Sequence, residues 1–196
     1  MPARGFFFDS GSSGDRLTRE WLQNTPAAWS STYQAPYHAY KYTNAGGTQY
    51  CTLMSIPPVH DFEVNIKLKA TNADAMMGVY LRKDRTTITD PGVFWFWCTG
   101  GIFGLVFKEA GGGQPVLSSV AYVVDTTKWH NLRMRAVGRR VQGKIWTEDT
   151  AEPAWMIDHI IRYREMRNNG TIGLHTTVRD VYHAQIQLTP IRRTGP

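Results

Sequence analysis

The chain has 196 residues, with 22 Lys and Arg against 16 Asp and Glu for a formal net charge of +6. That length suits one domain able to bury roughly 70% of the surface its unfolded form exposes, and aromatic residues make up 12% of it, which favours β-structure or a binding surface. The basic excess lies in short clusters (Arg82 to Arg85, Arg133 to Arg140, Arg162 to Arg167), not in the dense block that grips a phosphate backbone, so no nucleic-acid partner is expected, although an acidic glycan or a neighbouring subunit fits the sign of the charge.

Met1 to Asp9 contains only the three consecutive apolar residues Phe6, Phe7 and Phe8. A signal peptide needs a longer apolar core, and no stretch reaches the roughly 20 apolar residues of a membrane span. Synthesis in the cytosol and no membrane partner are expected. Residues 1–50 read as an irregular N-terminal arm with the first strands: Gly11-Ser12-Ser13-Gly14 is a loop, and Asp15 to Gln23, with Leu17 and Trp21 four apart, predicts a short helix. Tyr33, Tyr37, Tyr40 and Tyr42 suit an arm that orders on a partner.

From residue 51 to 190 the pattern is strand after strand. Phe62 to Lys69 alternates apolar and polar residues without a fault, as a strand with one wet face does. Strands follow at Met76 to Arg82 and Phe94 to Cys98, then a hairpin at Gly100-Gly101 leads to Phe103 to Lys108. Val116 to Val124, Trp129 to Val137 and Val141 to Thr147 are the next strands, the last two joined by a turn at Gly138. Trp155, Met156, Ile157, Ile160, Ile161 and Met166 fall near helical spacing, so a strand end and a short helix or loop are expected before Asn168-Asn169-Gly170. Thr171 to Thr176 and Val181 to Leu188 close the pattern, and residues 191–196 form a basic tail. Many short strands with Gly turns predict an all-β fold, a sandwich or barrel.

Catalytic signatures are sparse. Cys51 and Cys98 form no disulfide framework and no zinc pattern, and Cys98 ends an apolar strand, where a free thiol acts as a small hydrophobe. No Gly-x-Ser-x-Gly elbow occurs, and Gly111-Gly112-Gly113 lacks the Lys-Ser/Thr of a phosphate loop. Retaining glycosidases need two acids about 5 Å apart. Glu148-Asp149-Thr150-Ala151-Glu152 precedes Pro153 in a turn, where that pairing is not expected. No cofactor is expected. The candidate Ca²⁺ ligands are Asp9, Asn168 and Asp180, without an Asp-x-Asp-x-Asp run.

Several runs carry a likeness. They are Trp129-His130-Asn131-Leu132-Arg133-Met134-Arg135, Gly143-Lys144-Ile145-Trp146, Glu152-Pro153-Ala154-Trp155 and Gly170-Thr171-Ile172-Gly173-Leu174-His175, with Asp61-Phe62-Glu63-Val64 and Gly78-Val79-Tyr80-Leu81-Arg82 upstream. Together they resemble the concanavalin-A-like, laminin-G-like jelly-roll domains, which implies a two-sheet antiparallel jelly-roll sandwich over residues 51–190. The Glu-Pro-x-x-Trp variant resembles domains of tail and other virion proteins of actinobacteriophages. That resemblance implies a non-catalytic, lectin-like component of a bacteriophage virion, made in the host cytoplasm. It would form a homo-oligomer within an assembly and bind host cell-surface glycan or other virion subunits. Two alternatives stand beside it, a purely architectural capsid-decoration or tail-assembly protein and a divergent glycoside hydrolase.

The candidate ligand-binding residues are read from the alternation. Phe94, Phe96 and Cys98 share one side of their strand, and Trp95 and Trp97 the other. With Tyr80 and Arg82 beside them, the two Trp residues would make a platform on which sugar rings dock. Arg135 and His175 alternate with core residues in the same way, so the expected site is Tyr80, Arg82, Trp95, Trp97, Arg135 and His175 on one sheet face.

Overall fold

The computed structural model describes residues 6–8, 21–23, 29–42, 49–53, 59–83, 94–99, 101–109, 113–162, 169–176 and 180–191, with the backbone alone at 6–8, 21–23, 49–53, 83 and 94–95. The described strands are β1 (Phe6–Phe8), β2 (Trp21–Gln23), β3 (Trp29–Gln34), β4 (Tyr37–Tyr42), β5 (Gln49–Leu53), β6 (Phe62–Ala70), β7 (Met77–Lys83) and β8 (Phe94–Thr99). They continue with β9 (Ile102–Phe107), β10 (Val116–Ala121), β11 (His130–Val137), β12 (Arg140–Thr147), β13 (Ile157–Ile160), β14 (Thr171–Thr176) and β15 (Val181–Pro190).

They form two antiparallel sheets. The first runs β13-β12-β11-β6-β15-β4-β3, with β1 also paired to β15, and the second runs β10-β9-β8-β7-β14-β5-β2. This is the expected jelly-roll sandwich. The period-two strands turn their apolar sides into the gap between the sheets. Phe62, Val64, Ile66 and Leu68 of β6 and Leu132, Met134 and Ala136 of β11 meet Met77, Val79 and Leu81 of β7 and Phe96 and Cys98 of β8, all buried in one core. Phe96 lies stacked on Phe103, with centroids 5.4 Å apart. Gly143 of β12 faces Phe96 across the gap, and a Cβ there would stand 2.2 Å from the ring, so glycine sets how closely the layers approach. Burial pushes the Cys98 thiol up to about 12, consistent with its expected role as a small hydrophobe. The hairpin turns expected at Gly101 and Gly138 have φ of 81° and 54°, the left-handed region glycine enters without strain.

Residues 1–50, read as an irregular arm with the first strands, supply strands to both sheets, and Trp29–Gln34 and Tyr37–Tyr42 pair as a hairpin. Trp29, Tyr40 and Tyr42 are core residues there, whereas Tyr33 is exposed. Two expectations are corrected. Trp21–Gln23, the end of the predicted helix, is a strand paired with β5, and the rest of that helix lies outside the described residues. Ile157–Ile160, in the segment with helical spacing, is the edge strand β13, paired with β12.

Candidate functional site

The structure brings together four of the six predicted residues. Tyr80, Trp95 and Trp97 come from the paired strands β7 and β8, with Tyr80 opposite Trp95 and Gly78 opposite Trp97. His175 of β14 lies opposite Gly78. Tyr80, Trp97 and His175 occupy outward positions on the second sheet. The Trp97 indole lies across Gly104 of β9, where a Cβ would come within 3.0 Å of it, and it packs on Tyr80 and Val106. Tyr80 meets His175 edge-on, with centroids 5.1 Å apart. This face is closed over much of its area. Tyr80 is 4% exposed and His175 1%, and the half-buried Trp97 holds its Nε1 enclosed without a hydrogen-bond partner. The side chain of Trp95 lies outside the described residues.

Arg82 and Arg135 lie elsewhere. Arg82 has φ of 55°, and the pairing of β14 with β7 slips between Thr171 and Gly173 beside it. This bulge swings the guanidinium off the face. It is fully buried at one end of the sandwich, donating to the carbonyl of His60 at 3.1 Å and pairing with Asp61 at 3.5 Å. Asp61 also accepts from the Gly138 N–H at 2.7 Å, which ties the β11–β12 turn to the same clasp. Arg135 does point outward, but from the first sheet, on the opposite side of the molecule. Alternation assigns a residue to the wet side of its own sheet and does not say which sheet that is.

The outward side of the first sheet carries a second constellation, whose residues were not among the candidates read from the sequence. A pocket of about 210 Å³ is lined by Asn65 and Lys67 of β6, Asn131 of β11, Trp146 of β12, Glu152 and the glutamines Gln185 and Gln187 of β15. Register builds it, since Asn131 stands opposite both Lys67 and Trp146, and Asn65 opposite Gln187. These pairs lie on two neighbouring cross-strand rows, and a bulge between Ala184 and Gln187 brings Gln185 alongside them. Within it Gln185 has φ of 48°, a conformation uncommon for a non-glycine residue.

The loop after β12 folds back over this face. Glu152 accepts from Arg133 at 2.7 Å and pairs with Lys144 at 2.6 Å, while Lys144 donates to the Pro153 carbonyl at 2.9 Å. Trp155 receives the cations of Lys144 and Arg135 over its ring at 4.6 and 5.2 Å. Glu63 takes Arg133 at 2.6 Å on one oxygen and Arg135 at 2.7 Å on the other. At the other end Lys67 donates to Asn131 Oδ1 at 3.1 Å and pairs with Glu148 at 2.6 Å. Tyr37, which also bonds Glu148, stands edge-on to Trp129. Hydrogen bonds from Lys144 and Arg133 hold the Glu152 carboxyl below the usual carboxylate range. Burial works against Glu148, but Lys67 and Tyr37 outweigh it and hold that carboxyl low as well. The readable signal was Trp146, a large aromatic at an outward position one strand away from an outward Asn.

Of the candidate calcium ligands, Asp9 and Asn168 lie outside the described residues and Asp180 is paired with Lys41 at 2.9 Å; among the described residues no group of three or more His, Cys, Asp or Glu residues is placed to hold a metal.

No protein-family model matches the chain, and no curated protein matches it. Solved structures do. The chain is similar to the carbohydrate binding module CBM66 from Bacillus subtilis, at 14% identity over 87% of this chain and 95% of that one, with a TM-score of 0.62. It is similar to a glycoside hydrolase family 16 endo-glucanase from Bacteroides ovatus, at 8% identity over 93% and 99%, TM-score 0.67. A third is the exoplasmic/lumenal domain of VIP36 in its Ca²⁺/Man2-bound form, at 12% identity over 90% and 83%, TM-score 0.63. At these identities the likeness shows the fold, a concanavalin A-like, lectin-like jelly roll.

Proposed function

We propose that the chain is a non-catalytic carbohydrate-binding module whose sugar contacts lie in the pocket on the outward side of the first sheet. One observation carries the reading. Asn65, Asn131, Gln185 and Gln187 converge beside Trp146 in a concave site, on a fold shared with a carbohydrate binding module and with the VIP36 exoplasmic/lumenal domain in its Man2-bound form. Sugars are held this way, by an aromatic ring against the C–H face of the pyranose and amides on its hydroxyls. The aromatic face of the second sheet is the weaker candidate, because Tyr80 and His175 are already buried.

The electrostatics of the carboxylates around this pocket support the non-catalytic reading. A glycosidase needs one carboxylic acid held protonated near neutral pH. Glu152 and Glu148 are instead held low by paired cations, and Glu63 is clamped between two arginines. The setting we propose is a bacteriophage virion, with host glycan or adjacent subunits as partners, on the resemblance carried by Glu152-Pro153-Ala154-Trp155.

The test is a glycan array followed by calorimetry on the hits. Trp146→Ala is expected to weaken binding at least tenfold, about 1.4 kcal/mol, while Trp97→Ala leaves the affinity within twofold and no reducing sugar is released. The reverse pattern moves the site to the second sheet, and an array without hits removes the carbohydrate reading.

A further inference from the structure

The charge arrangement around this pocket points to its ligand class, an inference that rests on the carbohydrate reading above. We infer that the pocket selects a neutral sugar residue and discriminates against uronic acids and sulfated sugars. Each cation in or touching its wall is already committed. Lys67 is bound to Glu148 at 2.6 Å, Lys144 to Glu152 at 2.6 Å, and Arg133 to Glu63 at 2.6 Å and Glu152 at 2.7 Å. An acidic sugar entering here would have to displace a protein carboxylate and meet another at Glu152, and like charges brought together in a partly desolvated site repel.

The unspent capacity is neutral. The side-chain amides of Asn65, Gln185 and Gln187 have no protein hydrogen-bond partner among the described residues, and Asn131 uses only its Oδ1, on Lys67. Primary amides offer donors and an acceptor together, which suits vicinal hydroxyls that both donate and accept. The left-handed backbone at Gln185 lies in the bulge that brings this residue to the pocket wall.

Two probe sets test the selection, a neutral panel (oligosaccharides of glucose, mannose and galactose) and an acidic panel (polygalacturonate, alginate and heparin oligosaccharides), each titrated at low and high NaCl. The neutral panel is expected to contain the binders, with affinities changing less than twofold with salt and falling at least fivefold in Gln187→Ala. Glu148→Gln, on an exposed turn, releases Lys67 and is expected to create salt-sensitive binding of the acidic panel at least fivefold above the parent chain. Binding of the acidic panel by the parent chain in preference to the neutral one, weakening steeply with salt, overturns the selection while leaving the carbohydrate reading in place. An unchanged acidic affinity in Glu148→Gln also overturns it. Binding of neither panel overturns the carbohydrate reading itself.

Discussion

Lowering the pH from 7.5 to 5 is expected to remove about 4 kcal/mol of stability through two buried histidines. His175 and His183 are fully buried, and burial is the main reason that each is driven down from 6.5 to about 3. His183 points into the core against Trp29, 5.8 Å away, and neither of its ring nitrogens makes a well-formed hydrogen bond, so the nearby backbone of Gly78 and His175 offsets the loss of water only in part. In the unfolded chain both rings take up a proton near pH 6.5, whereas in the folded chain they stay neutral until about pH 3. The unfolded state therefore binds more protons as the pH falls, and stability declines by about 1.4 kcal/mol per pH unit per ring below about 6. Between pH 7.5 and 5 each ring contributes about 2 kcal/mol, large against the 5–15 kcal/mol typical of a domain. His130, also depressed by burial, acts in the same direction. The carboxylates act in another window. Glu148, Glu152 and Asp158 are held low by their cationic partners, so their contribution is present above the unfolded carboxylate range and is lost only as the pH falls through their folded values. Urea unfolding followed by Trp fluorescence from pH 7.5 to 5 measures the slope, and imidazole ¹⁵N shifts report the rings directly. Constant stability across that range, or a folded-state ring at either position titrating near 6.5, refutes the reasoning.

Two further substitutions probe the frame that holds the site. Gly143→Ala drives a methyl to 2.2 Å from the Phe96 ring and is expected to cost about 1–3 kcal/mol by overpacking, read as a lower urea midpoint at unchanged slope. Arg82→Met strips the buried Asp61 of its cation and is expected to cost about 3–5 kcal/mol, with partial recovery in the double variant Arg82→Met/Asp61→Asn measured by the same unfolding curves.

Sequence periodicity revealed the sandwich where the inward residues are plainly apolar. The alternation of Phe62, Val64, Ile66 and Leu68, and of Leu132, Met134 and Ala136, survives in the burial of β6 and β11. It was hidden in β3 and β4, whose inward residues Trp29, Tyr40 and Tyr42 have polar tips and alternate with Ser and Lys. Near Trp155 the pattern misled, because Ile157 and Ile161 are four apart and a spacing of four satisfies a helix and a strand alike. Both are buried in the inter-sheet core, whereas Trp155 packs on Lys144 and Arg135 outside it.

The amino-acid order by itself determined which residues turn inward on most strands, because a pleat of period two sends neighbours to opposite sides whatever the strand pairs with. Strand partnership was decided only by the tertiary structure. It put Arg135 on the sheet opposite Trp97, withdrew Arg82 into a buried clasp, and set Gln187 beside Asn65 on one cross-strand row and Asn131 beside Trp146 on the neighbouring one, drawing on four strands. Such rows are a property of hydrogen-bonded register between segments up to 122 positions apart (Asn65 to Gln187), and no local pattern of side chains encodes them.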